Sequence, residues 1–354
     1  MKGMILAAGL GERMRPLTFM RAKSSLPLFN RPFIVHAAEY LKRFGINEVA
    51  VNLHHRPDSI RSILKDGSDL NISISYSHEE RILGTAGGVR KIEKFFDGKR
   101  FILLNSDFIS DVNLEKAIEH HESYGALATL VVMRSTTDGY SRLLIDEEWN
   151  VRAIAEGKGD HIFCGIHILE PEILDRIPEG ERLDIIRDTY RDAMEKRLPI
   201  KAFEHQGFWF EFGDLSKYLQ GHIQLAGTRL EFIQKILNVP ETGQFQYSGG
   251  SCLLFSTEDV MIDEEVRLSG MVVGDRGCRV EREASISNSI LHRHSVIRRG
   301  ASLSKCIVGE GVIIPDGMKL HGVAISTVPA DCIHVIIPED IHRKGDLLIK
   351  QFLS

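Results

Sequence analysis

The sequence predicts an α/β protein in two parts, a mostly parallel sheet with flanking helices followed by a parallel β-helix. Three observations support this prediction. Apolar strand-like runs alternate with amphipathic helical stretches through the first two thirds of the chain. Residues 238–250 then lose that periodicity and gather Gly, Pro and Ser. Beyond them, apolar or small residues recur every six positions.

The first part reads as strands and helices in alternation. Apolar, β-branched runs without polar alternation indicate strands buried on both faces, which is typical of a parallel sheet covered by helices. Strands are expected at 3–6, 48–53, 72–76, 101–105 and 128–133. Helices are expected between them at 33–44, 57–64, 85–96 and 114–124. Strands dominate 142–212 around a helix at 183–196, and a further helix is expected at 215–237.

The last part carries a repeat of six residues. Nearly all positions spaced by six are apolar or small, and they are Val260, Val266, Val272, Cys278, Ala284, Ile290, Val296, Ser302, Val308, Ile314 and Leu320. Each hexad of a β-helix forms one side of a triangular coil, whereas neither a helix nor an ordinary strand gives period six. An irregular β-domain with chance spacing is the alternative. A chain of 354 residues suits two domains, which we place at 1–237 and 251–354 with a linker at 238–250.

Composition excludes several classes of protein. The net charge of −5 leaves no basic surface of the kind that binds nucleic acid. No apolar run is long enough to span a membrane, and Met1-Lys2 leads directly into a strand rather than a signal peptide. The five cysteines are odd in number and widely spaced, which favours reduced thiols over disulfides or a zinc site. We therefore expect a cytoplasmic protein that binds neither nucleic acid nor membrane.

The stretch LAAGLGERMRPLT at 6–18 follows the first expected strand and suggests a phosphate-binding loop. Gly9 and Gly11 let backbone N–H groups approach a phosphate chain. The third glycine of a dinucleotide fingerprint and the Lys-Ser/Thr ending of a P-loop are both missing. Arg13 adds a forked cation suited to pyrophosphate, and Lys23 adds a point charge. A solvated turn with scattered basic residues is the alternative.

Two carboxylates stand at the ends of strand-like runs. Asp107 comes just after the run FILLN and is well placed to bind Mg²⁺, which takes carboxylate and phosphate oxygens. Its alternative role is to cap a following helix. Glu211 ends the run GFWFE, where it is either a second ligand or a surface residue on an edge strand.

The glycine-rich segment EERILGTAGGV at 79–89 lies between a strand and a helix. Gly84, Gly87 and Gly88 allow the backbone to approach a planar base closely. Glu79 or its neighbour in the sequence can accept hydrogen bonds from N–H groups on a base edge. The alternative is a helix start softened by glycine, with Thr85 as its N-cap.

Taken in order, these motifs resemble those of the sugar-1-phosphate nucleotidyltransferases over about residues 1–225. The resemblance rests on G-x-G-x-R-x-x-P-x-T at 9–18 followed by Lys23, on L-G-T-A-G at 83–87, on Asn105-Ser106-Asp107, on Gly165-Ile166-His167-Ile168-Leu169 and on Trp209-Phe210-Glu211-Phe212-Gly213. It implies a Rossmann-like, mostly parallel mixed sheet. The repeat is similar to the left-handed β-helix of the mannose-1-phosphate guanylyltransferase branch.

The resemblance also implies a reaction and a set of residues. An oxygen of a sugar 1-phosphate attacks the α-phosphorus of an NTP, and pyrophosphate leaves. The implied catalytic residues are Arg13, Lys23, Asp107 and Lys158, and the implied Mg²⁺ ligands are Asp107 and Glu211. The implied nucleotide-binding residues are Leu6, Ala8, Gly9, Gly11, Glu79, Gly84, Thr85, Ala86 and Asp107. The implied sugar-phosphate-binding residues are Gly87, Glu156, Lys158 and Glu211.

The sequence departs from the family pattern on the sugar-phosphate side. Glu211 stands where the family has Asp, which displaces the carboxylate by roughly 1.5 Å, one carbon–carbon bond. The family's E-K-P segment reads Glu156-Gly157-Lys158, and its Tyr-Gly pair reads Tyr140-Ser141. An active enzyme is the leading hypothesis. These changes leave open a catalytically weak, nucleotide-sugar-binding regulatory homologue.

The choice of base and the role of the repeat complete the expectations. A carboxylate at Glu79 only accepts hydrogen bonds, which suits the donors of guanine, so we favour GTP and mannose 1-phosphate over uridylyl or thymidylyl transfer to another sugar 1-phosphate. The repeat is expected to form a homo-oligomer through its flat faces and open ends. An added acyltransferase there would have to use His292 or His294.

Overall fold

The computed structural model describes residues 1–136, 139–155, 159–228, 237, 243–248, 252–257, 259–328 and 336–353. Its strands are β1 (Lys2–Leu6), β2 (Pro27–Leu28), β3 (Arg31–Pro32), β4 (Glu48–Leu53), β5 (Ser73–His78), β6 (Phe101–Asn105), β7 (Phe108–Ser110), β8 (Ala128–Arg134), β9 (Arg142–Ile145), β10 (Val151–Ala155), β11 (His161–Leu169), β12 (Ile200–Glu204), β13 (Trp209–Glu211), β14 (Gly243–Ser248), β15 (Cys252–Thr257), β16 (Met261–Ile262), β17 (Arg267–Gly274), β18 (Arg279–Val280), β19 (Ser285–Leu291), β20 (Val296–Ile297), β21 (Ser302–Ser304), β22 (Ile307–Val308), β23 (Ile313–Ile314), β24 (Lys319–His321), β25 (Val323–Thr327), β26 (His342–Lys344) and β27 (Leu347–Gln351).

The helices of the described residues are fewer than the strands. The α-helices are α1 (Phe33–Arg43), α2 (Asp58–Leu64), α3 (Gly84–Lys91), α4 (Leu114–Ser123), α5 (Arg191–Glu195) and α6 (Leu215–Ala226). Ile185–Tyr190 forms a π-helical segment that runs directly into α5. Short 3₁₀ turns occupy Glu12–Met14, Leu17–Phe19, Lys23–Ser25, Ser68–Leu70, Glu93–Phe96 and Pro171–Arg176.

The chain divides into two compact units, and the division differs from the one expected from the sequence. The first unit comprises Met1–Gly9 and Ile34–Glu211, and the second comprises Leu10–Phe33 and Phe212–Ser354. The segment that carries most of the glycine-and-arginine loop therefore groups with the β-helix. A linear reading of the sequence assigns each stretch to the domain next to it in the chain, so it placed this segment in the first domain.

A mixed sheet of nine strands forms the centre of the first unit. Its main path runs β10-β9-β11-β6-β1-β4-β5, and β8 pairs with β11 and β12. The central strand β1 pairs in parallel with β4 and β6, whereas β11 runs antiparallel to β6. The apolar runs of β1 and β6 are almost wholly buried, as expected for strands covered on both faces. The mostly parallel, mixed sheet predicted from the sequence is confirmed.

One face of this sheet carries the main apolar core of the first unit. Met4, Leu103 and Leu130 project from three strands into a cluster that also contains Phe96 from the turn after α3 and Tyr190 from the π-helix. Phe96 stacks on Phe101 with ring centroids 3.8 Å apart. Because the π-helix and α5 contribute buried residues to this core, their position relative to the sheet is fixed by packing.

The second unit contains the β-helix predicted from the repeat. Parallel strands stack in the orders β16-β18-β20-β23 and β15-β17-β19-β22-β25. Met261 pairs with Arg279 eighteen positions later, and Arg279 pairs with Val296 seventeen positions later. Residues of left-handed conformation recur at the corners of successive coils, and they include Glu265, Gly270, Gly277, Glu283, Asn288, His294, Gly300, Lys305, Gly311, Gly317 and Gly322.

The strict step of six fails at Val296 and Ser302, which are half-buried, whereas Val308 and Ile314 on the same count are wholly buried. Ser295 and Ala301 are fully buried, whereas the sequence analysis placed Val296 and Ser302 in the interior. The register of β17 against β19 shifts between Ser269 and Val272, which marks an extra residue that the later coils lack. Coils of seventeen residues move the inward positions back by one, so a rule counted in sixes drifts out of phase.

Both ends of the parallel stack are closed by antiparallel strands. β14 pairs with β15 at one end, and β27 pairs with β25 at the other, with β26 beside it. The strand edges at the two ends of the β15-β17-β19-β22-β25 stack are therefore covered, and exposed edges of this kind invite uncontrolled pairing. β14 lies inside the predicted linker, where the alternation in QFQYS was a strand signal that the flanking Gly and Ser obscured. The C-terminal strands extend the stack rather than packing outside it.

The described cysteines are free, and the described helices are short. Cys164, Cys252, Cys278 and Cys306 are buried and free, and burial raises the pKa of each thiol. In the part of the chain that the structure describes, no helix is long and apolar enough to cross a membrane.

Two buried histidines join α6 to other parts of the second unit. The Nε2 atom of His222 accepts a hydrogen bond from Phe29 N at 3.3 Å, so its Nδ1–H donates to Tyr218 O at 2.8 Å. The hydroxyl of Tyr218 donates to Pro27 O and lies 3.1 Å from Nε2 of His292. His292 is 1% exposed and is therefore inaccessible to an acyl substrate. His294 lies at a corner of a coil, in the left-handed conformation.

Acid is expected to destabilise the protein through three buried histidines. Burial lowers the pKa of His167 to about 3, of His222 to about 4 and of His292 to about 3. Because their pKa in an unfolded chain is about 6.5, the unfolded state binds more protons below that pH. The free energy of unfolding is therefore undiminished by these histidines above about pH 6.5 and decreases as the pH falls below it. At pH 5 each histidine lowers it by about 2 kcal/mol.

Urea unfolding at pH 7.5 and pH 5 measures this loss. In His222→Gln an amide can replace both contacts without taking up a proton, so its loss between the two pH values should be smaller by about 2 kcal/mol. His321→Gln, at an exposed position, is the matched control and should behave as the parent protein does. Equal losses in His222→Gln and the parent would contradict the assignment.

Candidate functional site

Neighbouring strands of the first unit end at one edge of the sheet and bring the expected site residues there. Leu6 of β1 pairs with Asn105 of β6, so the residues that follow each strand leave the sheet side by side. Ala8 is buried and Gly9 is exposed. A Cβ at Gly9 would meet no atom within 4 Å, so packing does not require glycine there. Open space above a glycine is what close approach of a ligand to the backbone requires.

The two expected metal ligands lie beside facing strands, with Asp107 just before β7 and Glu211 at the end of β13. β7 and β13 form an antiparallel ladder in which Glu211 pairs with Phe108, the residue after Asp107. Asp107 and Glu211 are half-buried, and both line one cavity of about 640 Å³. The other residues that line it are Asn105, Phe108, Leu130, Tyr140, Ser141, Leu143, Ile154, Phe163, Cys164, Gly165, Asp184, Ile186, Arg187, Arg191 and Trp209.

The floor of the cavity is shaped by an irregularity in β11. Its register against β8 shifts between Phe163 and His167, so the strand bulges at Gly165. Gly165 has φ +80°, and a Cβ there would lie 3.1 Å from Phe108 Cδ1. The bulge turns Cys164 O outward to accept a hydrogen bond from Trp209 Nε1 at 2.8 Å. The glycine of the G-I-x-I-L motif is thus required by backbone conformation and by crowding.

The carboxylate pair fits a divalent cation that is shared with a ligand. In the described residues, no group of three or more His, Cys, Asp and Glu side chains could hold a metal on its own. Mg²⁺ characteristically takes one or two carboxylates and completes its shell with substrate phosphates and water. Two half-buried carboxylates beside facing strands match that requirement, so the donor set suits Mg²⁺ bound together with phosphates.

Glu79 orients the backbone after β1 rather than facing the cavity. It is 1% exposed, and its two oxygens accept hydrogen bonds from Asn52 Nδ2 at 2.8 Å and from Leu83 N at 2.9 Å. Asn52 Oδ1 in turn accepts from Ala7 N at 2.7 Å. A Cβ at Gly88 would come within 2.9 Å of both side chains, so the absence of a side chain at Gly88 leaves room for the hydrogen bond between Asn52 and Glu79. Both edges of the carboxylate are therefore used inside the protein, and Glu79 does not serve as the base reader expected from the sequence.

The L-G-T-A-G segment packs against the chain before the π-helix. Ala86 N donates to Leu183 O, and Leu183 N donates to Leu83 O, each at 3.0 Å. A Cβ at Gly84 would lie 2.3 Å from Leu183 O, so this close approach requires glycine there. Thr85 Oγ1 accepts from Ile185 N at 2.7 Å instead of capping α3, which begins at Gly84 without a side-chain cap.

Gly87 and Ala86 show the same constraint. A Cβ at Gly87 would lie 2.3 Å from Glu181 O, and Ala86 is wholly buried. Packing against the backbone of 181–183 accounts for the small residues in this segment. Their expected contacts with a base and a sugar remain predictions.

The rest of the glycine-and-arginine loop belongs to the second unit. Gly11 has φ +64°, and its carbonyl accepts from Thr18 Oγ1 at 2.9 Å, which closes the loop. Arg13 is exposed at the tip. Lys23 is half-buried, and its Nζ donates to Gly213 O at 3.4 Å.

Contacts with the β-helix hold the base of this loop. Arg21 is buried, with Nη1 3.5 Å from a carboxylate oxygen of Glu310 and Nε donating to Ser25 Oγ at 3.1 Å. Asn30 Nδ2 donates to Gly274 O at 2.8 Å. Arg21 and Asn30 are thus bonded at the base of the loop, whereas Arg13 at its tip is exposed.

The expected site residues therefore fall into three groups. The first unit holds Leu6, Ala8, Gly9, Glu79, Gly84, Thr85, Ala86, Gly87, Asp107 and Glu211, and the second holds Gly11, Arg13 and Lys23. Glu156 and Lys158 lie outside the described residues. Sequence reasoning missed Arg187 and Arg191, which line the cavity. Their spacing of four within an expected helix was the available signal, since such residues share a helix face.

Comparison with known proteins matches both parts of the chain to family models. Residues 2–227 match the model of the Nucleotidyl transferase family. Residues 254–324 match the model described as "GlmU-like, C-terminal hexapeptide". The first match covers more than half of the chain, and the second covers most of the β-helix.

Curated relatives match over nearly their whole length. "Mannose-1-phosphate guanylyltransferase 1" of Arabidopsis thaliana is 30% identical, with 91% of this chain and 94% of that protein covered. "Probable mannose-1-phosphate guanylyltransferase 2" of Oryza sativa subsp. japonica is 32% identical with the same coverage. "UTP--glucose-1-phosphate uridylyltransferase" of a Synechocystis strain is 27% identical and covers 95% of each chain.

A solved structure supports the fold alone. A putative glucose-1-phosphate thymidylyltransferase from Bacillus anthracis, crystallised with a sucrose, superposes with a TM-score of 0.58 at 20% identity. It covers 65% of this chain and 96% of that protein.

The role of Glu79 can be separated from that of its exposed neighbour Glu80. Glu79→Ala leaves Asn52 Nδ2 and Leu83 N without their acceptor, so we expect it to lower the free energy of unfolding by about 1–3 kcal/mol. Urea unfolding at neutral pH measures the change. Glu80→Ala is the matched control and should change stability by less than about 0.5 kcal/mol. Equal stability of the two variants would mean that Glu79 has no structural task.

Proposed function

The chain belongs to the nucleotidyl transferase family, and from that premise we propose that it transfers a nucleotidyl group from an NTP to a sugar 1-phosphate. One observation carries the proposal. Asp107, just before β7, and Glu211, at the end of the facing strand β13, line the same cavity at the edge of the sheet where β1 and β6 end. In open α/β sheets, ligands bind beyond the carboxyl ends of the strands.

The proposed reaction is a single in-line displacement. An oxygen of the sugar phosphate forms a bond to the α-phosphorus as the bond from that phosphorus to the bridging oxygen breaks, and both electrons of the broken bond leave with pyrophosphate. No covalent intermediate with the protein is needed, so the protein contributes by positioning the phosphates and neutralising their charge. A bound Mg²⁺ supplies charge neutralisation at the reacting phosphates.

The proposed roles of the side chains follow their chemistry. Asp107 and Glu211 would hold Mg²⁺ together with the phosphates. On the pattern of the loop, Arg13 would bind the leaving pyrophosphate and Lys23 the reacting phosphates, since a guanidinium grips two oxygens and an ammonium acts as a point charge. Lys158 and Glu156 stay proposed contacts of the sugar phosphate. The glycines after β1 let the backbone approach the triphosphate.

We propose GTP and mannose 1-phosphate as the substrates. The support is the set of plant mannose-1-phosphate guanylyltransferases that match this chain at 30–32% identity over 91% of its length. Glu79 carries no weight in this choice, because both its oxygens are bonded inside the protein. The uridylyltransferase relative makes UTP with glucose 1-phosphate the second candidate. A catalytically weak regulatory role stays the alternative that the Glu at 211 and the altered 156–158 segment favour.

The β-helix is proposed to serve assembly of a homo-oligomer. Met261 and Ile313 are 55% and 50% exposed, and they end a column on the β16-β18-β20-β23 face whose middle residues are the exposed Arg279 and the half-buried Val296. Exposed apolar side chains stacked along a flat face suit contact with a second copy. We also propose a cytoplasmic location, which the free, buried cysteines support.

An activity matrix tests the function directly. Four NTPs are incubated with mannose, glucose and galactose 1-phosphates and Mg²⁺, and pyrophosphate release is measured. We expect the highest kcat/KM for GTP with mannose 1-phosphate. Asp107→Asn removes a charge from the metal pair, so kcat should fall by about 10²–10³-fold, as when a group that stabilises transition-state charge is lost. Asp175→Asn, at an exposed position away from the cavity, is the control and should keep the parent rate.

The same assay tests whether the glutamate at position 211 supports catalysis or weakens it. Glu211→Asp withdraws the carboxylate by roughly 1.5 Å. If the cavity is built for glutamate, kcat should fall by about tenfold or more, because misplacement by such a distance costs up to about a hundredfold. A strong rise would show that glutamate weakens catalysis in this chain. Absence of turnover for all pairs would favour the regulatory alternative.

Light scattering of the full chain tests assembly. The expected mass is at least twice that of one chain, and Met261→Lys with Ile313→Lys should reduce it by placing like charges on the face. Lys319→Ala, at an exposed position on a different strand of the β-helix, is the control. A monomeric parent protein would refute the proposed homo-oligomer.

A further inference from the structure

A second cavity adjoins the proposed active-site cavity. It has a volume of about 380 Å³ and shares Ile154, Ile186, Arg187 and Arg191 with the larger cavity. Its remaining lining residues are Arg152, Ala153, Met194 and Glu195. Shared lining residues mark the junction of the two spaces, and neither Asp107 nor Glu211 is among them. The junction is thus an end of the main cavity distinct from the carboxylate pair.

The junction is rich in positive charge. Arg152 is compensated, because its guanidinium contacts Asp146 Oδ2 at 2.6 Å. Arg187 and Arg191 are exposed, and neither forms an ion pair with another residue that the structure describes. Only Glu195 contributes a carboxylate to the smaller cavity. Asp184 lines the main cavity beside them, but its Oδ1 accepts from backbone N–H groups of Ile186 and Arg187. Two guanidinium groups therefore face the junction without an ion pair to either nearby carboxylate.

The backbone that carries these arginines is held in place. Asp184 Oδ1 accepts hydrogen bonds from Ile186 N at 2.9 Å and from Arg187 N at 2.8 Å. Tyr190, wholly buried, places its hydroxyl 2.8 Å from His167 Nδ1 beneath the same turn. A π-helical turn between these anchors is an unusual conformation that proteins frequently retain at functional sites. Less ordering is then needed when an anion binds.

The main cavity therefore has opposite charges at two places. The reacting phosphate must lie near the carboxylates, since the cation that bridges them to phosphate binds there. Because the two cavities share lining residues, the part of the sugar away from that phosphate has room to extend toward the junction. A neutral hexose would meet two guanidinium groups with hydroxyls alone, whereas a carboxylate or phosphate would form charge-assisted, two-pronged hydrogen bonds with them.

We propose, on the premise of nucleotidyl transfer to a sugar 1-phosphate, that the sugar 1-phosphate which this chain prefers above all neutral ones, mannose 1-phosphate included, carries a second anionic group, bound by Arg187 and Arg191. The group is a carboxylate or a second phosphate, which share the chemistry that a guanidinium recognises. Arg187 and Arg191 are then the residues that set the choice between charged and neutral sugars. They act on the sugar and take no part in the transfer of the nucleotidyl group.

The test compares matched sugars on the full chain. Glucose 1-phosphate, glucuronic acid 1-phosphate and glucose 1,6-bisphosphate are assayed with Mg²⁺ and the preferred NTP. One of the charged sugars should exceed the neutral one in kcat/KM by about tenfold or more, since a hydrogen bond to a charged group contributes about 1.5–3 kcal/mol. Preference for the uronate identifies a carboxylate as the group, and preference for the bisphosphate identifies a phosphate. Either result supports the proposal.

Charge-removing variants tie the preference to the arginines. In Arg187→Gln with Arg191→Gln, the ratio of kcat/KM for the charged sugar to that for the neutral sugar should fall toward one. Arg182→Gln, which removes a charge from an exposed position outside both cavities, should keep the parent ratio. Equal kcat/KM for all three sugars, or a ratio that the double variant leaves unchanged, overturns the proposal.

Failure of the proposed function is distinguishable from failure of this inference. If no NTP and sugar phosphate are turned over, calorimetry without NTP still measures binding of glucuronic acid 1-phosphate, glucose 1,6-bisphosphate and glucose 1-phosphate. Tighter binding of a charged sugar that is lost in the double variant and kept in Arg182→Gln supports the arginine site. Equal binding of all three, or absence of binding, overturns it.

Discussion

The position of β6 between β1 and β11 is the constraint on which the candidate site depends. Parallel pairing sets Leu6 beside Asn105, and antiparallel pairing sets Ile166 beside Leu104. One strand therefore fixes where the backbone after β1 leaves the sheet, where Asp107 stands and where β11 bulges. The bulge at Gly165 in turn presents Cys164 O to Trp209, whose strand carries Glu211. A shift in the register of β6 would separate all of these groups at once.

Buried polar side chains hold the segments that strands alone do not fix. Asn52 and Glu79 form a chain of hydrogen bonds from Ala7 N to Leu83 N across the first unit. In the second unit, His222 in its neutral form connects Phe29 to α6. Such groups are costly when unpaired, so each accepts only a narrow range of backbone positions. They specify loop geometry in places where the apolar core permits several arrangements.

Sequence reasoning predicted what repeats or alternates, and it failed where a residue acts on a segment far along the chain. The run FILLN gave the bounds of β6, because strands buried on both faces carry continuous apolar residues. The role of Glu79 was misread, since Asn52 lies 27 positions away and composition says nothing about that contact. Gly84 and Gly87 suggested a ligand, yet their nearest neighbours are backbone atoms of Leu183 and Glu181. The count in sixes drifts because later coils lack the extra residue that β17 contains, which shifts the phase by one.

The placement of charge in the main cavity follows from the same geometry and limits what can bind there. Leu130, Leu143 and Phe163 contribute apolar wall between the charged groups, and in such surroundings charges are screened less than in water. Asp107 and Glu211 repel a bare phosphate, so an anion is favoured at that end only together with a cation. Arg187 and Arg191 favour an anion directly. A ligand with phosphate at one end and a carboxylate at the other therefore has one orientation in which the cation meets its phosphate and the arginines meet the carboxylate, and reversal would leave the cation without its phosphate.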